Sequence, residues 1–166
     1  MDRMFSPWRM EYIRRGNSGG AAPRCIFCAG EDDRGDPERL ILGIYPLTLA
    51  ICNLYPYNNG HVLVAPRRHV ANLSLLSREE LAELMSLVAL GTRALEEEYS
   101  PQGFNVGMNI GKAAGAGIED HLHVHIVPRW GGDTNFMTAV QSTRVLPESL
   151  QETHVRLSAR FAILSP

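Results

Sequence analysis

Short apolar runs separated by turn residues dominate the first half of the chain. Apolar side chains fill Leu40–Ile44 and Leu47–Leu54 on either side of Tyr45-Pro46, which predicts two strands joined by a tight turn. The Asn and Gly residues of Tyr57–Gly60 tolerate positive backbone φ angles, so this stretch predicts a second turn. A third strand is expected over His61–Pro66.

A helical period replaces the strand pattern at Ser77. Apolar residues recur every three or four positions across Ser77–Tyr99, which predicts the main helix. Ser77 followed by Glu80 fits a capping box at its start. The residues expected to face the sheet are Leu81, Leu84, Met85, Val88 and Leu95.

The second half of the chain predicts two more strands and a closing helix. Weak alternation over Gly103–Ile110 predicts the fourth strand, and His121–Pro128 predicts the fifth. Between them, Gly111–Gly117 is a loop of small residues. Pro147–Phe161 predicts a last helix, with Pro147 in its first turn. Strands, a helix and further strands together predict an α+β fold with a five-stranded antiparallel sheet.

Composition limits the class of protein. The chain has 166 residues, of which 45% are hydrophobic and 20% charged, so we expect one domain over residues 25–166 and an N-terminal arm over residues 1–24. A net charge of -2 gives no basic field for a nucleic-acid partner. The sequence has no apolar stretch long enough for a membrane span. Three cysteines, an odd and low number, favour a reducing compartment, and we predict the cytoplasm.

The segment Asp120–Trp130 carries the most chemistry. Alternate side chains of a strand share one face, so His121, His123 and His125 are predicted to lie together on one side. The intervening residues Leu122, Val124 and Ile126 are predicted to face the core.

Three explanations fit this row of histidines. A strand histidine is usually a surface or hydrogen-bonded core residue, but three in register are hard to explain in that way. A metal site built from all three is the second explanation, although side chains along one strand fan out and only two readily reach one ion. Nucleophilic catalysis is the third, because neutral imidazole attacks phosphorus and leaves again. The central residue, His123, is then the natural nucleophile.

The sequence His-Leu-His-Val-His-Ile-Val resembles the signature of the histidine-triad (HIT) superfamily. The resemblance extends over Cys25 to Met137 and includes Asn53, Asn59–Pro66 and Asn109. Asp120–Trp130 with the following Gly132–Met137 is most similar to the bacterial branch that includes diadenosine tetraphosphate phosphorylases.

This resemblance implies a HIT-like fold, a homodimer or tetramer, no organic cofactor and an adenine nucleotide or dinucleoside polyphosphate as substrate. It implies a covalent nucleotidyl-histidine on His123, with His125 near the α-phosphate and His121 completing the triad. It also implies that Asn53 and His61 lie near the nucleoside and that Asn109 places the phosphate or ribose.

The loop before the triad departs from the family pattern. Many members carry Gly-Gln there, whereas Ala114–Asp120 contains no amide side chain. This difference argues against rapid hydrolysis and favours another acceptor, such as inorganic phosphate. Backbone N–H groups around Gly115 and Gly117 are candidates to cradle phosphate oxygens, the alternative being a simple flexible turn. Asp120 either orients a triad histidine, receives a proton, or only ends the loop.

Trp130 is the last candidate near the triad segment. It is expected to pack beside the base of a second nucleotide, at a subunit contact, or in the core.

Cys25 and Cys28 have the Cys-x-x-Cys spacing of half a zinc site. A redox role is the usual rival, but no thioredoxin-like βαβ pattern surrounds them, and a reduced buried pair is the third alternative. The family resemblance implies that His69 and His121 complete the site. The zinc ion would then be structural, because all four ligands come from the protein.

Three functions follow as hypotheses. The first is a diadenosine polyphosphate phosphorylase or hydrolase, and the second is a hydrolase of the P–N bond in nucleoside phosphoramidates. The third is a nucleotide-binding protein whose chemistry is incidental.

Overall fold

A computed structural model of the chain describes residues 25–30, 33, 38–133 and 147–164. Five antiparallel strands form one sheet in the order β1-β2-β3-β5-β4. The strands are β1 (Ile41–Ile44), β2 (Thr48–Cys52), β3 (Val62–Pro66), β4 (Gly103–Met108) and β5 (Val124–Arg129), and the helices are α1 (Arg78–Tyr99) and α2 (Leu150–Leu164). Short 3₁₀ turns occur at Leu73–Leu75 and Lys112–Ala114. The predicted α+β fold is therefore confirmed.

The two faces of the sheet are buried by different parts of the chain. Both helices cover one face, where the main core includes Val64, Val124 and Ile126 from the strands. The opposite face carries a smaller cluster that includes Phe27 and Leu63. Strands β2 and β3 are buried on both faces, which explains their unbroken apolar sequences.

The start of α1 is fixed by the predicted capping box. The Ser77 hydroxyl accepts a hydrogen bond from the backbone N–H of Glu80, and the Glu80 carboxylate accepts one from the N–H of Ser77. Arg68 also donates twice to Glu80, at 2.8 Å each. The hydrogen bonds from Arg68 and from the Ser77 N–H lower the pKa of Glu80 to about 2, so the Glu80 carboxylate of the capping box is ionised at neutral pH.

Four details of the sequence prediction were wrong. Met85 does not face the sheet but is 52% exposed, and Leu87 is buried in the stripe instead. Leu81 is only half-buried. The last helix begins at Leu150 rather than at Pro147, because Ser149 caps it by accepting from the N–H of Glu152. Strand β5 begins at Val124 rather than at His121, because the ladders to both neighbouring strands begin there.

The predicted N-terminal arm, residues 1–24, lies outside the described residues. Neither helix in the described part of the chain is long and apolar enough to cross a membrane.

The turn that leads into β3 depends on Gly60. Its φ angle is +73°, and a Cβ atom there would lie 2.9 Å from Cδ2 of Leu95. We expect Gly60→Ala to lower the free energy of unfolding by about 1–3 kcal/mol, from backbone strain and overpacking together. Urea denaturation measures this change.

Gly103→Ala is the matched control, because a Cβ atom at that position would have no heavy atom within 4 Å beyond its own chain neighbours. We expect it to be neutral or to stabilise the fold by up to about 1 kcal/mol. Equal losses in the two variants would contradict the packing argument.

Candidate active site and metal centre

The three triad histidines lie together on the sheet face opposite the helices. His125 pairs in register with Leu63 of the smaller core cluster, and its ring centroid is 5.0 Å from that of His123. The rings of His121 and His123 both contact Phe27. Leu122, Val124 and Ile126 are buried, as the alternation predicted.

The hydrogen bonds of His123 determine which ring nitrogen carries its proton. Nδ1 lies 2.8 Å from the carbonyl oxygen of His121, and a carbonyl can only accept. Nδ1–H is therefore the donor, and Nε2 carries the free lone pair. Burial lowers the pKa of His123, against the opposing effect of this hydrogen bond. A neutral imidazole with a free Nε2 lone pair is the form that can act as a nucleophile.

A chain of hydrogen bonds fixes His125 in the opposite tautomer to His123, with its proton on Nε2. The backbone N–H of Tyr57 donates to Nδ1 of His61, so the proton of His61 lies on Nε2. That Nε2–H points at Nδ1 of His125, 3.0 Å away, and the proton of His125 must then lie on its own Nε2. This Nε2 atom is buried and has no hydrogen-bond partner within the described residues. An unpaired buried N–H donor suits an oxygen atom of a bound anion.

Burial keeps both members of this chain neutral. It lowers the pKa of His61 to about 3 and that of His125 to about 4, with smaller contributions from the neighbouring histidines. The directions of the hydrogen bonds are therefore stable at neutral pH, because none of these rings takes up a second proton there.

Asn53 lies beside His61. Its Oδ1 accepts from the N–H of Tyr55, so its amide group faces Nδ1 of His61 at 3.2 Å. Tyr57 was missed by the reasoning from sequence, although its ring stacks on that of His125 with an interplanar angle of 8° and a centroid distance of 5.6 Å. Its place before the Asn-Asn-Gly turn was the available signal.

The four predicted metal ligands also come together. The ligand atoms of Cys25, Cys28, His69 and His121 all lie within 4.8 Å of one another. Nδ1 of His121 is 3.3 Å from Sγ of Cys25 and 3.2 Å from Nδ1 of His69. Adjacent ligands of a tetrahedral zinc ion are about 3.3–3.8 Å apart, so this group fits such an ion.

The orientation of His121 supports the same conclusion. Its Nε2 donates to the carbonyl oxygen of Pro66 at 2.8 Å, which leaves Nδ1 unprotonated and directed at the cysteines. A ligand histidine that donates its other N–H to a carbonyl is the usual arrangement at metal sites.

The other predicted site residues lie in the segments next to the triad, and no hydrogen bond joins them to its histidines within the described residues. Asn109 follows β4 beside the triad, because Met108 pairs with Val124 in the ladder. Gly115, with φ at +89°, and the exposed Gly117 belong to the loop before the triad. Asp120 is exposed and makes no hydrogen bond to a triad histidine among those described.

Trp130 lies away from the triad, at the opposite end of β5. It is five residues beyond His125, which is about 16 Å along a strand. Arg129 before it binds Asp133 and Asn105. The described structure therefore gives neither residue a contact with the histidines.

The fold and the site define the class of protein. Residues 36–132 match the HIT domain family, and the chain belongs to it. It is 39% identical to a protein named AP-4-A phosphorylase from Mycobacterium tuberculosis, over 98% of this chain and 85% of the relative. It is 31% identical to an adenosine 5'-monophosphoramidase from Schizosaccharomyces pombe, over 82% of this chain and 98% of the relative.

A solved structure agrees with the same assignment. A zinc-bound histidine triad family protein from Mycobacterium smegmatis superposes with a TM-score of 0.64 at 29% identity, covering 85% of this chain and 95% of the other. The prediction of a HIT-family enzyme is confirmed, since the relatives are named as enzymes of this class. The site residues, the phosphate co-substrate and the oligomeric state stay predictions.

The buried histidines predict a loss of stability in mild acid. The pKa of His61 is about 3 in the fold but about 6.5 in the unfolded chain. Below about pH 6.5 the unfolded chain therefore binds the extra proton, and stability falls as the pH falls. We expect His61→Gln to reduce the loss between about pH 6 and about pH 5 by about 1 kcal/mol.

Urea denaturation at each pH, with the same concentration of zinc added to both proteins, measures this difference. Protonation of the metal ligands then affects both proteins alike and cancels. Parallel pH profiles for the two proteins would show that His61 does not stay neutral in the fold.

Proposed function

We infer that the protein transfers a nucleotidyl group from a dinucleoside polyphosphate, such as diadenosine tetraphosphate, through His123. The observation that carries this proposal is the pairing of two fixed ring states. Nε2 of His123 holds a free lone pair, while Nε2–H of the adjacent His125 is a buried donor without a partner among the described residues. A nucleophile beside an unpaired donor suits attack on a phosphorus atom whose oxygens need stabilisation.

The reaction divides into two displacements. In the first, Nε2 of His123 forms a bond to the α-phosphorus, and the bond from that phosphorus to the bridging oxygen breaks, releasing ATP from diadenosine tetraphosphate. His125 donates to an oxygen of the α-phosphate, where negative charge builds up. In the second step an acceptor oxygen attacks the same phosphorus and the P–N bond to His123 breaks.

Inorganic phosphate is the acceptor that we favour. The loop before the triad lacks the side-chain amide that many HIT proteins carry. The N–H groups of Ala114, Gly115 and Ala116 donate to carbonyl oxygens within the loop, which leaves those of Gly117–Asp120 as the candidates to contact phosphate oxygens. Attack by phosphate releases ADP and regenerates neutral His123. The relative from M. tuberculosis is named a phosphorylase, which supports this choice. The relative from S. pombe is named a phosphoramidase, which keeps P–N hydrolysis as the second candidate.

We infer that the Cys/His group holds a structural zinc ion. The four ligand atoms, the orientation of His121 and the zinc-bound relative from M. smegmatis support this assignment. When bound, the ion would supply folding free energy by joining Cys25 and Cys28 to His69 and to His121, which lies just before β5. Zinc-binding thiols need reducing conditions, so we also infer a cytoplasmic location.

Product analysis tests the reaction. Diadenosine tetraphosphate is incubated with the protein, with and without inorganic phosphate, and the nucleotides are separated by ion exchange. We expect ADP and ATP in equal amounts, with phosphate required for turnover. His123→Ala should abolish both turnover and covalent AMP labelling, because no other group replaces the nucleophile.

His154→Ala is the matched control, since His154 lies on α2 outside the site. Formation of AMP without phosphate would identify water as the acceptor. Turnover of an AMP-amine substrate alone would favour the phosphoramidase, and absence of any labelling would favour a binding protein.

Metal analysis tests the zinc site. We expect one zinc per chain, lost together with part of the thermal stability in Cys28→Ser, because three ligands hold the ion less tightly. Atomic absorption and thermal denaturation measure the two effects.

Cys52→Ala is the control, since Cys52 is a buried core residue of β2 outside the ligand group. It should lose stability but keep its zinc. A wild-type protein purified without metal, and not stabilised by added zinc, would contradict the assignment.

A further inference from the structure

The ring of Phe27 packs between two histidines of the site. One is His121, a member of the Cys/His metal group (Cys25, Cys28, His69 and His121), and the other is the proposed nucleophile His123. The Phe27 ring stacks on that of His123 with a centroid distance of 4.8 Å and an interplanar angle of 26°. The same ring contacts His121 at a centroid distance of 5.2 Å. Phe27 is fully buried, so its ring is held against both imidazoles.

The backbone around Phe27 is held on both sides. Phe27 lies between Cys25 and Cys28, and the N–H of Cys28 donates to the carbonyl oxygen of Cys25 at 3.1 Å. A metal ion bound to both thiolates would close this turn. Arg39 adds a second restraint by donating to the carbonyl oxygen of Ile26 at 2.8 Å.

Asp33 in turn fixes this arginine. It forms an ion pair with Arg39 at 2.6 Å and accepts from the N–H of Gly30. The short segment that carries Phe27 is thus held by Arg39 and its largely buried ion pair, and a metal ion bound by both cysteines would tie it further to the rest of the domain.

His123 needs such a restraint. Its hydrogen bond to the His121 carbonyl fixes the position of Nδ1, but a single hydrogen bond leaves the ring free to tilt about that atom. A stacked aromatic ring restricts the tilt and so the direction of the Nε2 lone pair. In-line attack on phosphorus depends on that direction, because misplacing reacting groups by about 1 Å slows reactions about a hundredfold.

We propose that Phe27 is a positioning residue that transmits the order of the Cys/His metal group to the nucleophile His123. This inference rests on the proposed role of His123 in nucleotidyl transfer. It assigns the metal group a part in catalysis through packing alone, without contact between metal and substrate. Metal occupancy then affects the rate of nucleotidyl transfer more than it affects the binding of nucleotide.

The test compares Phe27→Leu with Ile26→Leu. Leucine keeps an apolar side chain at position 27 but removes the stacked ring, whereas Ile26 is 44% exposed in the same turn and serves as the control. Three quantities are measured on the zinc-loaded proteins: zinc content, the dissociation constant for AMP, and the single-turnover rate of covalent AMP labelling from diadenosine tetraphosphate. NMR of the histidine rings reports the position of His123 independently of activity.

For Phe27→Leu we expect unchanged zinc content and AMP affinity, with labelling slower by about three- to tenfold, the size of one aromatic pair. The ring protons of His123 should move downfield, because the shielding of the stacked phenyl ring is lost. Ile26→Leu should match the wild type in every measurement. An unchanged labelling rate, or an unchanged His123 ring signal, would overturn the proposal while leaving the proposed function intact.

Removal of the metal provides the second arm. Chelation should slow labelling in the wild type but have a smaller effect in Phe27→Leu, because both changes act on the same contact. If chelation slows labelling by the same factor in Phe27→Leu as in the wild type, Phe27 acts independently of the metal, and the proposed coupling is overturned. If the wild type is never labelled, the proposed function fails, and the His123 ring signal with and without zinc still decides whether Phe27 couples the two groups.

Discussion

The hydrogen bond from Nδ1–H of His123 to the carbonyl oxygen of His121 decides which nitrogen of the central imidazole is basic. His121 can offer that carbonyl in a fixed position because its own ring is held at both nitrogens. Nε2 donates to Pro66, and Nδ1 points at the cysteines. His121 therefore joins the proposed metal ligands to the proposed nucleophile His123, to the first through its side chain and to the second through its backbone. This explains why the two groups occupy adjacent positions on the same sheet face.

His61 and His125 form a directed network that begins at the backbone of Tyr57. Each ring accepts a hydrogen bond at Nδ1 and carries its proton on Nε2. The Tyr57 N–H donates to His61, His61 donates to His125, and Nε2–H of His125 is the last donor of the network. A buried donor without a partner costs about 1–3 kcal/mol. Such a cost is typical of functional sites, where a ligand supplies the missing acceptor. The fold tolerates it here because the sheet is buried on both sides by well-packed residues.

Local patterns predicted much of this structure. Strict alternation placed the triad histidines on one face, and Ser77 with Glu80 located the start of α1. The start of β5 was wrong because ladder hydrogen bonds depend on neighbouring strands that a local pattern does not contain. Met85 was misplaced because the apolar stripe of α1 was predicted one residue too wide. Leu84 contacts the sheet, whereas the next residue, Met85, is exposed. The second capping box, at Ser149 and Glu152, was present in the sequence but outweighed by the preference of proline for a first turn.

The sequence contained the residues of the site but not their hydrogen-bond directions. Asn53 and His61 were expected near the nucleoside, yet their role in fixing the proton of His125 depends on contacts across two strands. Phe27 was passed over because an apolar residue inside a Cys-x-x-Cys turn has no chemistry of its own until its ring is placed against His123.

The proposed choice of acceptor follows from what the loop before the triad lacks. The backbone N–H groups of Ala114, Gly115 and Ala116 already donate to the carbonyl oxygens of Gly111 and Lys112 within this loop, and the loop provides no side-chain amide to hold a water molecule. Water must lose a proton as it attacks, whereas inorganic phosphate is already an anion at neutral pH and needs no general base. The histidines cannot easily supply that base, because burial keeps the pKa of His125 at about 4 and its Nδ1 is already accepting from His61. A site with a weak base therefore favours a nucleophile that brings its own charge, and this constraint connects the missing amide to the proposed phosphorolysis.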